Sequence, residues 1–147
     1  MVIDEKDCKD KIEALTLQDW KPLLALIPKI KSTLTFGEWS GGTADEEGVI
    51  QLPCCVPLPI VTQFLEVVYA IPIIISFEWV KWNEGRKIAS DDNFDLDSID
   101  LPTKCQLVTA IVRNDRFSEG ALVSAFESGL VLRILNSIER TVTAKGQ

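Results

Sequence analysis

The densest set of reactive side chains in this chain lies in one octapeptide, Arg113-Asn114-Asp115-Arg116-Phe117-Ser118-Glu119-Gly120. Its two guanidiniums could clamp an anion through paired N–H donors, while Asp115 or Glu119 holds or deprotonates a neighbouring group. The same charges could instead form an ion-pair network that fixes a corner between two helices, with a carboxylate capping the second helix's free N–H groups. A second set is aromatic. Trp79 and Trp82 stand at i and i+3, so on a helix they share one face, with Phe77, Tyr69 and Trp39 as possible neighbours. Such a pair could floor an apolar pocket or anchor an interface, or simply fill the core.

Much other chemistry lacks its parts. There is no histidine, so Ser-His and Cys-His nucleophile pairs and imidazole metal sites are absent. The four cysteines, Cys8, Cys54, Cys55 and Cys105, do not form two Cys-x-x-Cys hooks, and they read as small buried hydrophobes rather than a zinc site. Neither a Gly-x-x-x-x-Gly-Lys loop nor a Gly-x-Gly-x-x-Gly turn occurs. Asp91, Asp92, Asp95, Asp97 and Asp100 could offer oxygens to a divalent cation, but the EF-hand order is missing, so a solvated connection is expected. No metal and no cofactor is expected.

Charge narrows the partners. Fifteen Lys and Arg against 22 Asp and Glu give a net charge of -7 and a sequence pI near 4.6. A surface that neutralises phosphates needs clustered bases, so no nucleic-acid partner is expected. The N-terminal Met-Val-Ile-Asp-Glu-Lys-Asp lacks the basic-then-apolar pattern of a secretory signal, which points to a cytoplasmic chain with reduced thiols. From Leu52 to Phe77 the only charge is Glu66, a length that could span a bilayer. Pro53, Pro57, Pro59 and Pro72, with a carboxylate near the middle, argue for the buried centre of a soluble domain instead.

The elements that must carry these groups follow from periodicity. Residues 1–15 form a charged, partly mobile lead-in or a short amphipathic helix. Thr16-Leu17-Gln18-Asp19 has the pattern of a capping box, and Leu17, Trp20, Leu24 and Ile27 continue a helical stripe that Pro28 should end or kink near Ile27. Residues 35–39 and 48–52 could pair as a loose hairpin. Val61, Phe64, Leu65 and Val68 mark a helix ending before Pro72, and Ser76 could cap another that bears Phe77, Trp79, Val80 and Trp82. Asp100 with Pro102 opens a helix burying Leu101, Cys105, Val108, Ile111 and Val112. Ser118 could cap a short helix through Ala121, Leu122, Ala125 and Phe126 that Gly129 breaks, before a last helix bearing Val131, Ile134, Leu135 and Ile138. The sum is a mainly α, single compact domain of five or six helices over residues 16–140, with a small β-hairpin near residues 35–52 and a frayed tail from 141.

Two stretches carry a family likeness. Leu107 to Leu122, with its Thr109-Ala110, Arg113, Asp115-Arg116-Phe117 and Glu119-Gly120 pattern followed by Glu127, Gly129 and Ile134-Leu135, resembles the C-terminal block of a family of uncharacterised bacterial proteins. Phe77-Glu78-Trp79-Val80-Lys81-Trp82 is similar to that family's central block. The likeness covers roughly residues 17–140. It implies a bacterial or mobile-element context and supplies no catalytic residues. The expected function is a protein-binding or regulatory module, docking a partner or a second copy on an apolar helix face beside the arginine junction. The alternative is a small enzyme or anion receptor joining Arg113, Asp115, Arg116 and Glu119 to a pocket lined by Trp79 and Trp82.

Overall fold

The computed structural model describes residues 5–40, 44, 46–50, 54–75, 77–118 and 120–145. Among them run α1 (Glu5–Ala14), α2 (Leu17–Leu24), α3 (Leu26–Lys31), β1 (Gly37–Ser40), β2 (Cys54–Pro57), α4 (Pro59–Ala70), α5 (Asn83–Ser90), α6 (Leu101–Asn114), α7 (Ala121–Glu127) and α8 (Leu130–Lys145). Single 3-10 turns at Trp79–Lys81 and Leu96–Ser98 bracket α5. The chain is mainly α, as its periodicity implies. Five or six helices is an undercount: eight helical segments are described, or seven if α2 and α3, parted only at Ala25, are taken as one bent helix.

Several boundaries follow the capping chemistry. The Thr16 backbone N–H donates to Asp19 Oδ2 at 2.9 Å while Thr16 Oγ1 accepts from the Asp19 N–H, a reciprocal box that starts α2. Asp100 Oδ1 accepts from the Thr103 N–H at 2.9 Å, and Pro102 sits in the first turn of α6 where its missing N–H removes no helical bond. Other boundaries move. The end or kink expected from Pro28 near Ile27 falls two residues earlier, at Ala25, and Pro28 lies in the first turn of α3. The helix expected from Ser76 is a 3-10 turn at Trp79–Lys81 followed by α5, and Ser76 itself lies outside the described residues. The helix after the arginine junction is capped by Gly120, at φ +77°, rather than by Ser118. The α8 helix continues past Thr141 to Lys145 and buries Val142.

The hairpin pairs different residues from those expected. β1 and β2 run antiparallel with Gly37 opposite Pro57, Glu38 opposite Val56, Trp39 opposite Cys55 and Ser40 opposite Cys54. Residues 48–50, assigned above to the second strand, contribute only an isolated bridge from Ile50 to Ala44, and residues 51–53 lie outside the described set. The β-branched and sulfur side chains of Cys54-Cys55-Val56 suit a pleated ladder better than the glycine at the head of the earlier run.

Packing centres on α8, whose Val131, Ile134, Leu135, Ile138 and Val142 form one buried stripe against α2, α3, α6 and α7. Phe126 of α7 meets Phe36 at 5.2 Å and Phe64 of α4 edge-on at 5.2 Å, tying the hairpin, α4 and α7 together. The apolar run from Leu52 to Phe77 includes β2, the 12-residue α4 and a loop that buries Ile71, Ile73 and Ile75. Thr109 Oγ1 accepts from the Ile75 N–H at 3.0 Å and donates to the Cys105 carbonyl, so α6 holds that loop in place. Among the described residues no single helix is long and apolar enough to cross a membrane. The α7–α8 pair reaches that length and apolar content only jointly and is bent by 69°.

Candidate functional site

The arginine junction is built by the end of α6, a tight turn and the start of α7. Successive bonds from Arg116 N–H to Arg113 O and from Phe117 and Ser118 N–H to Asn114 O wind the chain off α6. Asp115 then turns inward: its Oδ1 accepts the Leu122 N–H at 3.0 Å, satisfying a free donor in the first turn of α7. Asp115 is therefore a capping group first. Gly120 follows in the left-handed region, and the ring of Trp39 lies directly over it; a methyl at Gly120 would fall under 3.0 Å from two ring carbons. Arg113 is half-buried and Arg116 exposed, and among the described residues no carboxylate comes within ion-pair distance of either. Glu119 lies outside the described residues.

The tryptophans do floor a cleft, though not on one regular helix. Trp79 and Trp82 bracket the 3-10 turn, and with Gly85, Arg86 and Ala89 of α5 and Leu107, Ala110, Ile111 and Asn114 of α6 they enclose about 170 Å³. Gly85 is needed there because the Trp82 ring packs on the α5 backbone, closer than 3.0 Å to where a Cβ would stand. Trp82 meets Phe77 edge-on at 5.4 Å, and Trp79 stacks at 5.9 Å on Phe117, which is 79% exposed. Phe117 thus connects the two sets of residues singled out by the sequence. The guanidinium in the cleft wall is Arg86, whose Nη2 donates to the Val80 carbonyl at 2.6 Å, whereas Arg113 and Arg116 stand outside the lining. Nothing in the residue spacing singles out Arg86, and the fold of the 3-10 turn is what brings it to the tryptophans.

A second polar group escaped sequence reasoning. Lys104 is 1% exposed in α6, with Nζ donating to Thr141 Oγ1 at 2.5 Å and to the Ser137 carbonyl at 3.4 Å. Burial holds its pKa below the usual 10.5, against the pull of Asp97. Asp97, in the run expected to be solvated, is tied down: Ser137 Oγ donates to it at 2.6 Å and Arg140 forms a fork at 3.0–3.2 Å. The Ser137 bond foremost, then Arg140, holds its carboxyl below 3.8. The network fastens the Leu96–Ser98 turn to α8. A buried lysine in an otherwise apolar α6 stripe was its sequence signal, at the i−1 position to Cys105.

Cys8, Cys55 and Cys105 are buried and Cys54 is exposed; burial pushes the Cys105 thiol far above its ordinary value. Among the described residues no group of three or more Cys, Asp and Glu is arranged to hold a metal ion. No match is found among curated proteins or among solved structures. A family model described as "Family of unknown function (DUF6508)" matches residues 15–144, and it spans α2 to α8 with the hairpin, the Trp79–Trp82 cleft and the arginine junction. The chain belongs to that family.

Proposed function

We propose that this chain is a soluble, cytoplasmic bacterial binding module that docks another protein on the edge formed by Trp39, Phe117 and Trp79. The observation that carries this reading is Phe117, a large aromatic ring 79% exposed, resting on Trp79 at the mouth of the cleft. Trp39, 53% exposed, lies over Gly120 three positions along the same turn, and Arg113 and Arg116 precede Phe117 in sequence. Aromatic rings interleaved with arginines are the composition of interface hot spots. Cleft size supports docking over a cofactor: small-molecule sites are about 300–1,000 Å³, while this one is about 170 Å³. Asp115 spends an oxygen on Leu122, which favours a structural over a catalytic role for that carboxylate.

The test is site-specific photo-crosslinking in living cells, with a benzophenone side chain at position 117 and, as a control, at position 66 on exposed α4. A discrete protein adduct at 117 and none at 66 is expected. Equal adducts at both positions, or none at either, would refute the docking edge.

A further inference from the structure

We propose that the Trp79–Trp82 cleft is an anchor socket for one large apolar side chain of a partner peptide whose flanking residues are acidic. The inference rests on the docking reading and adds the occupant. Size comes first. A cavity of ~150 Å³ accepts a single benzene ring, so about 170 Å³ matches one phenylalanine or leucine side chain and little more. The walls agree: Leu107, Ala110, Ile111 and Ala89 are aliphatic, and the Trp79 and Trp82 indoles stand beside them.

Charge then selects the flanks. In a chain with 22 acidic and 15 basic residues, the lining of this cleft holds one cation, Arg86, and no carboxylate. Arg86 uses one donor on the Val80 carbonyl, which fixes the guanidinium at the wall while its other N–H groups remain to meet an anion. Asn114, also in the wall, adds an amide, and Arg113 and Arg116 flank it in sequence without a carboxylate partner among the described residues. A second apolar cleft, between α2 and α4, has the opposite sign: Asp19 and Glu66 line it and no cation does. An acidic peptide is therefore drawn to the first cleft and repelled from the second.

The experiment uses the full chain labelled with 15N and four synthetic heptapeptides: Ser-Asp-Glu-Phe-Glu-Asp-Ser, the same with Leu or Ala for Phe, and Ser-Lys-Lys-Phe-Lys-Lys-Ser. Each is titrated while the four tryptophan indole N–H signals are followed. Expected is movement of the Trp79 and Trp82 signals with Trp20 unmoved, binding weakened at least tenfold by Ala, and no saturable response to the lysine peptide. Ala110→Leu, which fills the cleft, should abolish binding with an unchanged melting temperature; Ala89→Leu serves the same end should Ala110→Leu fail to fold. Arg86→Gln should weaken the Phe peptide about fivefold and Arg86→Lys should restore part of it. Equal binding of the acidic and basic peptides, or equal binding of Phe and Ala, overturns the inference. So does concentration-dependent dimerisation that the filled variant abolishes, since a second copy would then be the occupant. If no peptide binds while the position-117 adduct persists, the anchor is wrong and the docking edge stands; if both fail, both readings fall.

Discussion

Replacing Gly120 by alanine separates two costs that the arginine junction combines. The backbone at Gly120 has φ +77°, and an L-residue there costs ~1–2 kcal/mol. The added methyl would also collide with the Trp39 ring, which must swing away. Trp39 is 53% exposed, so roughly half of a tryptophan's ~200 Å² is buried, about 100 Å², which at ~25 cal/mol per Å² is about 2.5 kcal/mol as an upper bound. Gly129 is the control. Its φ is +84°, yet nothing lies within 4 Å of where its Cβ would stand, so Gly129→Ala meets the backbone cost alone. Urea unfolding at constant m should therefore show Gly120→Ala destabilising by about 1–2 kcal/mol more than Gly129→Ala, and the gap should vanish in a Trp39→Ala background. Equal losses for the two glycines in the parent chain, or a gap that survives without Trp39, would show that the ring does not seat the hairpin on the junction.

Three other outcomes follow from the polar contacts. Asp115→Ala should cost about 0.5–2 kcal/mol by freeing the Leu122 N–H, and Asp115→Asn should recover much of it; an unchanged denaturation midpoint would contradict the capping role. Asp97 is held below 3.8 when folded, so in acid the unfolded chain binds more protons, and stability falls as pH drops through the folded value. Asp97→Asn should flatten that acid limb without erasing it, because Asp100 is also held below 3.8, burial pushing its carboxyl up while the Thr103 bonds together with Lys9 and Lys104 pull it down further; superimposable acid titrations would refute this. Lys104 is held below 10.5 when folded, so the unfolded chain binds more protons in the alkaline range and stability rises with pH there until 10.5 is passed. Lys104→Met keeps the stem packed, should change neutral-pH stability by less than ~1 kcal/mol, and should remove that alkaline rise in melting temperature; a large loss at neutral pH would mean the ammonium is a net stabiliser.

Where a local rule dictated the structure, the sequence was legible. The Thr16–Asp19 box, the Asp100–Pro102 start of α6, the α4 stripe and the Gly129 break each depend on chemistry within four residues. What required distant partners was not. Ser118 looks like the better cap for α7, but Asp115 reaches over it because the turn brings its carboxylate to Leu122. The strand register turned on Cys55 and Gly37 packing under α7, with Val123 and Cys55 crowding the glycine, and nothing in residues 48–52 announces that. Among site residues, Trp79 and Trp82 do converge, whereas Arg113 and Arg116 lie beside the cleft rather than in it, and Arg86 takes the place given to them. Asp97 and Lys104 each fasten to α8 from separate elements, through Ser137 and Thr141, a relation that no spacing within either segment encodes.

The first helix has a practical consequence. The family match begins at residue 15, yet α1 packs on α6 and seals Ile12 completely and Cys8 nearly so. A fragment trimmed to the matched boundary would carry an uncovered oily seam along α6, with Cys105 among the groups brought nearer to solvent. Expression of such a fragment would invite clumping and stray thiol oxidation, so the opening decapeptide helix should travel with the rest.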